Sequence, residues 1–400
     1  MTPHLSLGMS SIFLMFLKLG CISFGGPIAH LAYFRNEFIS KRKWLTEEAY
    51  AELVALCQFL PGPASSQVGM VLGYSQKGYV GAIAAWLGFT LPSACLLIIF
   101  AAGLTQYREL IAPEIIQGLK LLAVAVVIQA VWSMTKSLCP DRSRILIMVL
   151  VAVLSVPFFS FALGQLVLML LAAIVGVLFL SAAPSHHQHI LSMPMSRRVG
   201  FLCLGLFFLL LLILPLLELI YPSLIGSMVS ACYRAGSLVF GGGHVVLPLL
   251  ESEFVSTHWV SQEVFLAGYG ATQIMPGPLF TFAAFLGASI TSPYSVWVTG
   301  VIALLAIFVP SFLLVMGALP FWSVLRKHRH IQAGLMGVNA AVVGILLAAL
   351  YNPIALTAIH DFKDIMLVLL AVVAIIYSKL PIWLIAILMS SLTYLIKLSF

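Results

Sequence analysis

The sequence is poor in charge: Asp, Glu, Lys and Arg together make up 8% of its 400 residues. A soluble domain carries about 25%, so this chain cannot cover itself with an ordinary water-facing surface. Carboxylates are scarcest in the apolar runs. Apart from Glu218, near Pro215, the run centres hold almost no Asp or Glu, while Glu48, Glu52 and Glu263 lie early in half-helices, where an interface would hold them. A cation transporter normally keeps carboxylates on its pathway, so the intramembrane charge argues for an anion. The six cysteines are scattered with no CxxC pair, which signals neither a disulfide framework nor a zinc site. There is no GxxxxGK[ST] loop, so this chain does not hydrolyse ATP. No nucleophile with a base, carboxylate pair or cluster of metal ligands stands out. No catalytic residue, metal or cofactor is expected, and the chain does not read as an enzyme. Met1 to Leu17 lacks the charged n-region and cleavage site of a signal peptide, so the first apolar run reads as the first membrane helix.

What the chain has is apolar length. It is 62% hydrophobic with a mean hydropathy of +1.11. Runs of about 20 apolar residues, enough to span a bilayer, recur from end to end. A β-barrel would alternate over segments of about ten residues instead. The expected fold is an all-α polytopic membrane protein of about 13 spans. A first helix covers 5–31, interrupted at Gly25-Gly26-Pro27, and 48–76 reads as two half-helices around Pro61-Gly62-Pro63. Spans follow near 79–104, 115–135 and, in two pieces, 145–182. A linker at 183–198 carries His186, His187 and His189, which read as solvated polar sequence. After a lone span near 199–221 come 224–248, 262–291, 295–318, 333–351, 365–378 and 381–398. The net charge of +7 reads as loop positives that set orientation.

The pattern restarts because the chain repeats. A shift of 216 puts Phe24-Gly25-Gly26 on Phe240-Gly241-Gly242, Glu37 on Glu253 and Lys18 on Arg234. A shift of 215 puts Trp44, Gln58 and Pro61-Gly62-Pro63 on Trp259, Gln273 and Pro276-Gly277-Pro278. Pro92-Ser93 matches Pro310-Ser311, and Gly118 matches Gly337. Chance matches in apolar sequence would favour Leu, Val and Ala. The expected division is 1–182 for the first repeat, 183–223 for a linker and connecting helix, and 224–400 for the second repeat. If 48–76 crosses as one broken span, the halves are inverted; if it dips in and returns, they run parallel. The basic loop at 32–47 and its counterpart at 249–263, without Lys or Arg, suit inversion. The basic loops at 136–144 and 319–332 do not. Inversion is the expectation.

Gly and Pro free backbone groups, and the bilayer tolerates freed groups only beside protein or a water-filled cavity. Breaks at matching places in two halves therefore point to a transporter's binding site. Proline suits a first helical position, so Pro63 and Pro278 should each open a half-helix whose N–H groups and dipole favour an oxyanion. The candidate substrate-binding residues are Phe24, Gly25, Gly26, Gln58, Pro61, Gly62, Pro63, Ser65 and Ser66, with Gly241, Gly242, Gln273, Pro276, Gly277, Pro278 and Thr281. The plainer alternative is a packed kink with Ser in a capping role. Lys18 and Arg234 lie six residues, about 9 Å, before each Phe-Gly-Gly and read as substrate cations or as snorkelling ones. Lys120, whose counterpart is Asn339, reads as snorkelling. Glu37, Glu253, His30 and His244 are proton-coupling candidates, against plainer roles as loop charges and structural histidines.

The doubled Phe-Gly-Gly and Pro-Gly-Pro blocks, with Trp44-Leu45-Thr46 and Trp259-Val260-Ser261 between them, resemble the chromate transporter family in its long, two-domain form. The second copy departs from the first by reading Gly243 where the first has Pro27. The resemblance implies a secondary transporter in the bacterial cytoplasmic membrane that exports chromate on the proton motive force, with sulfate or similar oxyanions within its range. The alternatives are an oxyanion channel and an uptake transporter for sulfate-like anions. The partners expected are a small oxyanion and membrane lipid, with a homodimer as one option and no nucleic acid.

Overall fold

The computed structural model describes residues 8–106, 113–156, 162–181, 195–378 and 380–398. The linker histidines lie outside them. Helices account for nearly all of the described residues, with no strand among them. Helix α1 (Met9–Ile22) runs into a turn at Ser23–Gly25, and α2 (Gly26–Phe34) continues as a π-helical turn to Lys41. The chain reverses at that turn. The ring of Phe16 stacks on Phe38 at 4.7 Å and meets Phe34 edge-on at 5.6 Å. A helix continuing forward would separate residues 16 and 38 by about 30 Å.

A second hairpin follows. Helix α3 (Glu47–Phe59) lies beside α2, with the Tyr50 hydroxyl donating to Leu31 O at 2.7 Å. Its tip is Leu60–Pro63. The first part of α4 (Ala64–Gln106) then returns parallel to α2, bringing Ser65 to His30. At Lys77 and Gly78 the backbone leaves helical geometry, and the remainder of α4 runs back past both tips. The interruption expected inside a first helix at Gly25 is therefore the turn of a hairpin, and of the two courses open to 48–76 the chain takes the one that reverses, at Leu60–Pro63. The straight run expected near 79–104 is present.

The second half repeats this with α9 (Leu224–Leu238), α10 (Val246–Phe254), α11 (Gln262–Ile274), α12 (Phe282–Ser289) and α13 (Val296–Ala318). Arg234 of α9 reaches Glu253 of α10, and Phe265 of α11 meets Phe282 of α12 at 5.1 Å. The remaining helices are α5 (Pro113–Leu138), α6 (Arg142–Ser155), α7 (Ala162–Phe179), α8 (Arg197–Ile220), α14 (Trp322–Leu325), α15 (Arg329–Ala349), α16 (Leu356–Ala358), α17 (Phe362–Tyr377) and α18 (Ile382–Leu398). The halves exchange partners. Helix α5 packs on α17 and α18, and α15 packs on α6 and α7. The matched glycines make both approaches close: a Cβ on Gly118 would lie 2.5 Å from Ser390 Cα, and one on Gly337 2.0 Å from Ala172 O.

By length and composition, 64–104, α5, α8, 296–325 and 329–358 are each apolar enough to cross a bilayer. Helix α8 is apolar all round, yet only Gly200 and Phe207 are buried. Phe201, Leu202, Leu212 and Leu219 face outward, more than 60% exposed, which lipid rather than water accommodates. The architecture is that of an all-α, multi-pass membrane protein.

Candidate functional site

The four tips meet at the middle of the molecule and bond across the repeat. The Gly62 N–H donates to Val239 O at 2.7 Å, and the Gly277 N–H donates to Ser23 O at 3.0 Å. Val239 and Ser23 are themselves equivalent positions, each just before a Phe-Gly-Gly. Each Pro-Gly-Pro thus closes against the opposite half. Both glycines hold a positive φ, +118° and +105°, a region costly for residues with a Cβ. A Cβ on Gly62 would come 2.6 Å from Ser311 Oγ, and one on Gly277 2.7 Å from Ser93 Oγ. The matched Pro92-Ser93 and Pro310-Ser311 pairs are what the two tips rest on.

A cavity of about 60 Å³ lies among the tips, lined by Gly25, Gly26, His30, Gln129, His244, Thr272, Gln273 and Gly277, with Val126, Met275, Leu279, Ile375 and Ile382. That volume is more than the roughly 10–15 Å³ of such space one water needs, so a small inorganic ion suits it. Gln273 Nε2 is buried with no hydrogen-bond partner. The His30 Nε2–H donates to Ser23 O at 3.2 Å, and His30 Nδ1 lies 3.3 Å from Ser65 Oγ. Ser23 O, an acceptor only, fixes that tautomer. His244 Nδ1 is 2.7 Å from the Tyr269 hydroxyl. Helix α4 starts at Ala64, directly after Pro63, whereas a 3₁₀ turn, Leu279–Thr281, separates Pro278 from α12. Ser66 Oγ and Gln67 Oε1 are buried without partners, while Thr281 Oγ1 donates back to Pro278 O.

The other candidates lie elsewhere. Gln58, unlike Gln273, faces a groove between α2 and α3 with Arg35, Glu47 and Glu48. Phe24, Pro61, Gly62, Pro63, Ser65, Ser66, Gly241, Gly242, Pro276, Pro278 and Thr281 build the tips without lining the cavity. The two cations expected at the break do not reach it. Lys18 is exposed on the outer face of α1, because Phe16, Leu19 and Gly20 take the inward positions. Arg234 is held by both carboxylate oxygens of Glu253, at 2.9 and 2.8 Å, and by Glu218 at 3.5 Å. Glu37 pairs with Arg42 and Lys41; partial burial raises its carboxyl, but these two donors outweigh it and hold it below the usual carboxylate range. The donors at the cavity are thus neutral side chains and backbone, with no Lys or Arg.

Sequence reasoning missed one arrangement. Glu52 is buried and accepts from Arg326 Nη1 at 2.8 Å and from Trp322 Nε1 at 2.9 Å. This ties α3 of the first half to α14 of the second. Glu52 reads as an interfacial charge in the sequence, and neither Trp322 nor Arg326 belongs to a repeated motif, so no signal linked them.

Residues 10–178 and 226–394 each match the family described as Chromate transporter. A chromate transport protein of Cupriavidus metallidurans is 27% identical over 90% of this chain and 85% of its own length. One of Pseudomonas aeruginosa is 25% identical over 87% of this chain and 81% of its own. A probable chromate transport protein of Synechococcus elongatus is 25% identical over 90% and 88%. No solved structure matches the chain.

Proposed function

Because the chain belongs to the chromate transporter family, we propose that it is a secondary active transporter exporting chromate across the cytoplasmic membrane on the proton motive force, with sulfate and similar oxyanions as competitors. The observation that carries this reading is one small cavity between the first Phe-Gly-Gly tip, at Gly25 and Gly26, and the second Pro-Gly-Pro tip, at Gly277, with an unpartnered amide donor from Gln273. An oxyanion presents acceptors on every side, which suits backbone N–H and amide donors. Neutral donors also hold a dianion without the tight grip that would prevent release. The two halves, 1–182 and 224–400, with 183–223 between them, form one inverted pair in this reading. Both hairpins of the first half enter and leave by one face, so their reversals cancel in the crossing count. Five through-going segments, the second part of α4 and α5 to α8, then separate equivalent points, and an odd number inverts the repeat. Of the four coupling candidates, His30 and His244 line the cavity, while Glu37 and Glu253 are occupied by ion pairs; we keep the histidines in that role.

The test is uptake of labelled chromate and sulfate by proteoliposomes holding the purified protein, with and without an imposed pH gradient. Accumulation above the equilibrium distribution, dependent on the gradient and competed by sulfate more than by chloride, is expected. Equilibration with no accumulation would make the protein a channel, and inward-only coupling would make it an uptake transporter.

A further inference from the structure

A second cavity, of about 740 Å³, opens at the end of the molecule where α5 and α17 begin. Its walls are α5, α11, α17 and α18, and these four helices also wall the small central cavity. Helix α5 supplies Lys120 to one and Val126 to the other; α11 supplies Glu263 and Gln273; α17 supplies Asp364 and Ile375; α18 supplies Thr393 and Ile382. The larger cavity is thus a vestibule on the line of the central one. Lys120 lies six residues, about 9 Å of helix, before Val126.

Lys120 is 6% exposed, and its ammonium makes no hydrogen bond or ion pair among the described residues. An unpaired lysine this enclosed in a membrane protein is costly and marks a functional place. Carboxylates line the same vestibule, yet the resolved bonds are directed elsewhere. Asp364 accepts from the His360 N–H at 2.9 Å and from Gln117 Nε2 at 3.2 Å, and Asp361 accepts from the Asp364 N–H at 2.9 Å. Glu114, Glu263 and Lys363 also line it and have partners of their own.

We propose that Lys120 is a docking site for a small inorganic oxyanion, occupied in passing between the vestibule and the central cavity. The inference rests on the oxyanion-transport reading. The ammonium supplies the attraction, and the surrounding carboxylates keep it weak. A site on a transport path needs both, since an ion must enter favourably and still leave. Asn339 stands at the equivalent place in the second repeat, so the site belongs to one side of the molecule only.

The test places a cysteine at Ile116, on the vestibule wall, and follows its modification by a membrane-impermeant thiol reagent in the full-length protein, read at that residue by mass spectrometry. Sulfate should slow the labelling several-fold in the Lys120 protein and in Lys120→Arg, and not in Lys120→Met; chloride at equal concentration should do little. Equal protection by sulfate in Lys120→Met, or no protection in the Lys120 protein while oxyanion transport is intact, overturns the docking site. Protection that depends on Lys120 in a protein that transports no oxyanion overturns the transport reading instead and leaves the anion site standing. Should Lys120→Met fail to fold, Lys120→Gln, which removes the charge and keeps a polar end, carries the same comparison.

Discussion

At the scale of single residues, the site depends on two glycines that have no room for a side chain. Gly62→Ala must strain a positive φ and push into Ser311, and Gly277→Ala must do the same against Ser93. Each should cost at least about 2 kcal/mol, seen as a lowered unfolding midpoint in detergent and reduced transport. Adding Ser311→Ala to Gly62→Ala removes the nearest contact and should restore part of the loss. An alanine variant as stable as the parent would mean that the tip is looser than its geometry. The importance of these glycines was legible in the sequence, since both copies of Pro-Gly-Pro recur with a Gln three residues upstream. The rotation of Lys18 away from the break was not. A six-residue spacing gives height along α1, but the packed face of the helix is chosen by Phe16, Leu19 and Gly20.

Among elements, the buried bridge from α3 to α14 is the contact whose removal should be felt most. Glu52→Ala removes the carboxylate to which Arg326 Nη1 donates, and breaking a buried pair from one side typically costs about 3–5 kcal/mol. Removing both partners, as Glu52→Ala with Arg326→Met, should cost less than Glu52→Ala alone, because no uncompensated charge remains. A double-mutant cycle on thermal unfolding measures the coupling; additive single effects would show that the two side chains act independently. The hairpins themselves were only half legible. Gly and Pro announce that the backbone breaks, yet a kink and a reversal use the same residues. What decides between them is aromatic packing such as Phe16 on Phe38, a contact between residues far apart in sequence.

For the molecule as a whole, the proposed inversion makes a claim about sidedness. Cysteines at Ser40 and Lys327 should react from one face of the membrane, and cysteines at Ser256 and Lys363 from the other. Labelling intact and permeabilised cells with an impermeant reagent reads this directly. Agreement between the equivalent positions Ser40 and Ser256 would leave the halves parallel. The duplication was legible because its matches are Gly, Pro, Gln and Trp, whereas the exchange of α5 and α15 between halves was not. The seams at Gly118 and Gly337 show only that something comes close, not which helix does.

The crossed bonds from Gly62 to Val239 and from Gly277 to Ser23 carry a consequence for assembly. Neither repeat is a finished object. Expressed alone, either one would leave a glycine N–H unpaired in apolar surroundings, and the second repeat the Val239 carbonyl as well, where each such group costs several kcal/mol. Cut in the linker and produced as two polypeptides, the protein should therefore accumulate only when both fragments are present, in equal numbers, and each fragment alone should be degraded by the cell. Survival of a lone fragment at parental abundance would show that the partnership is dispensable.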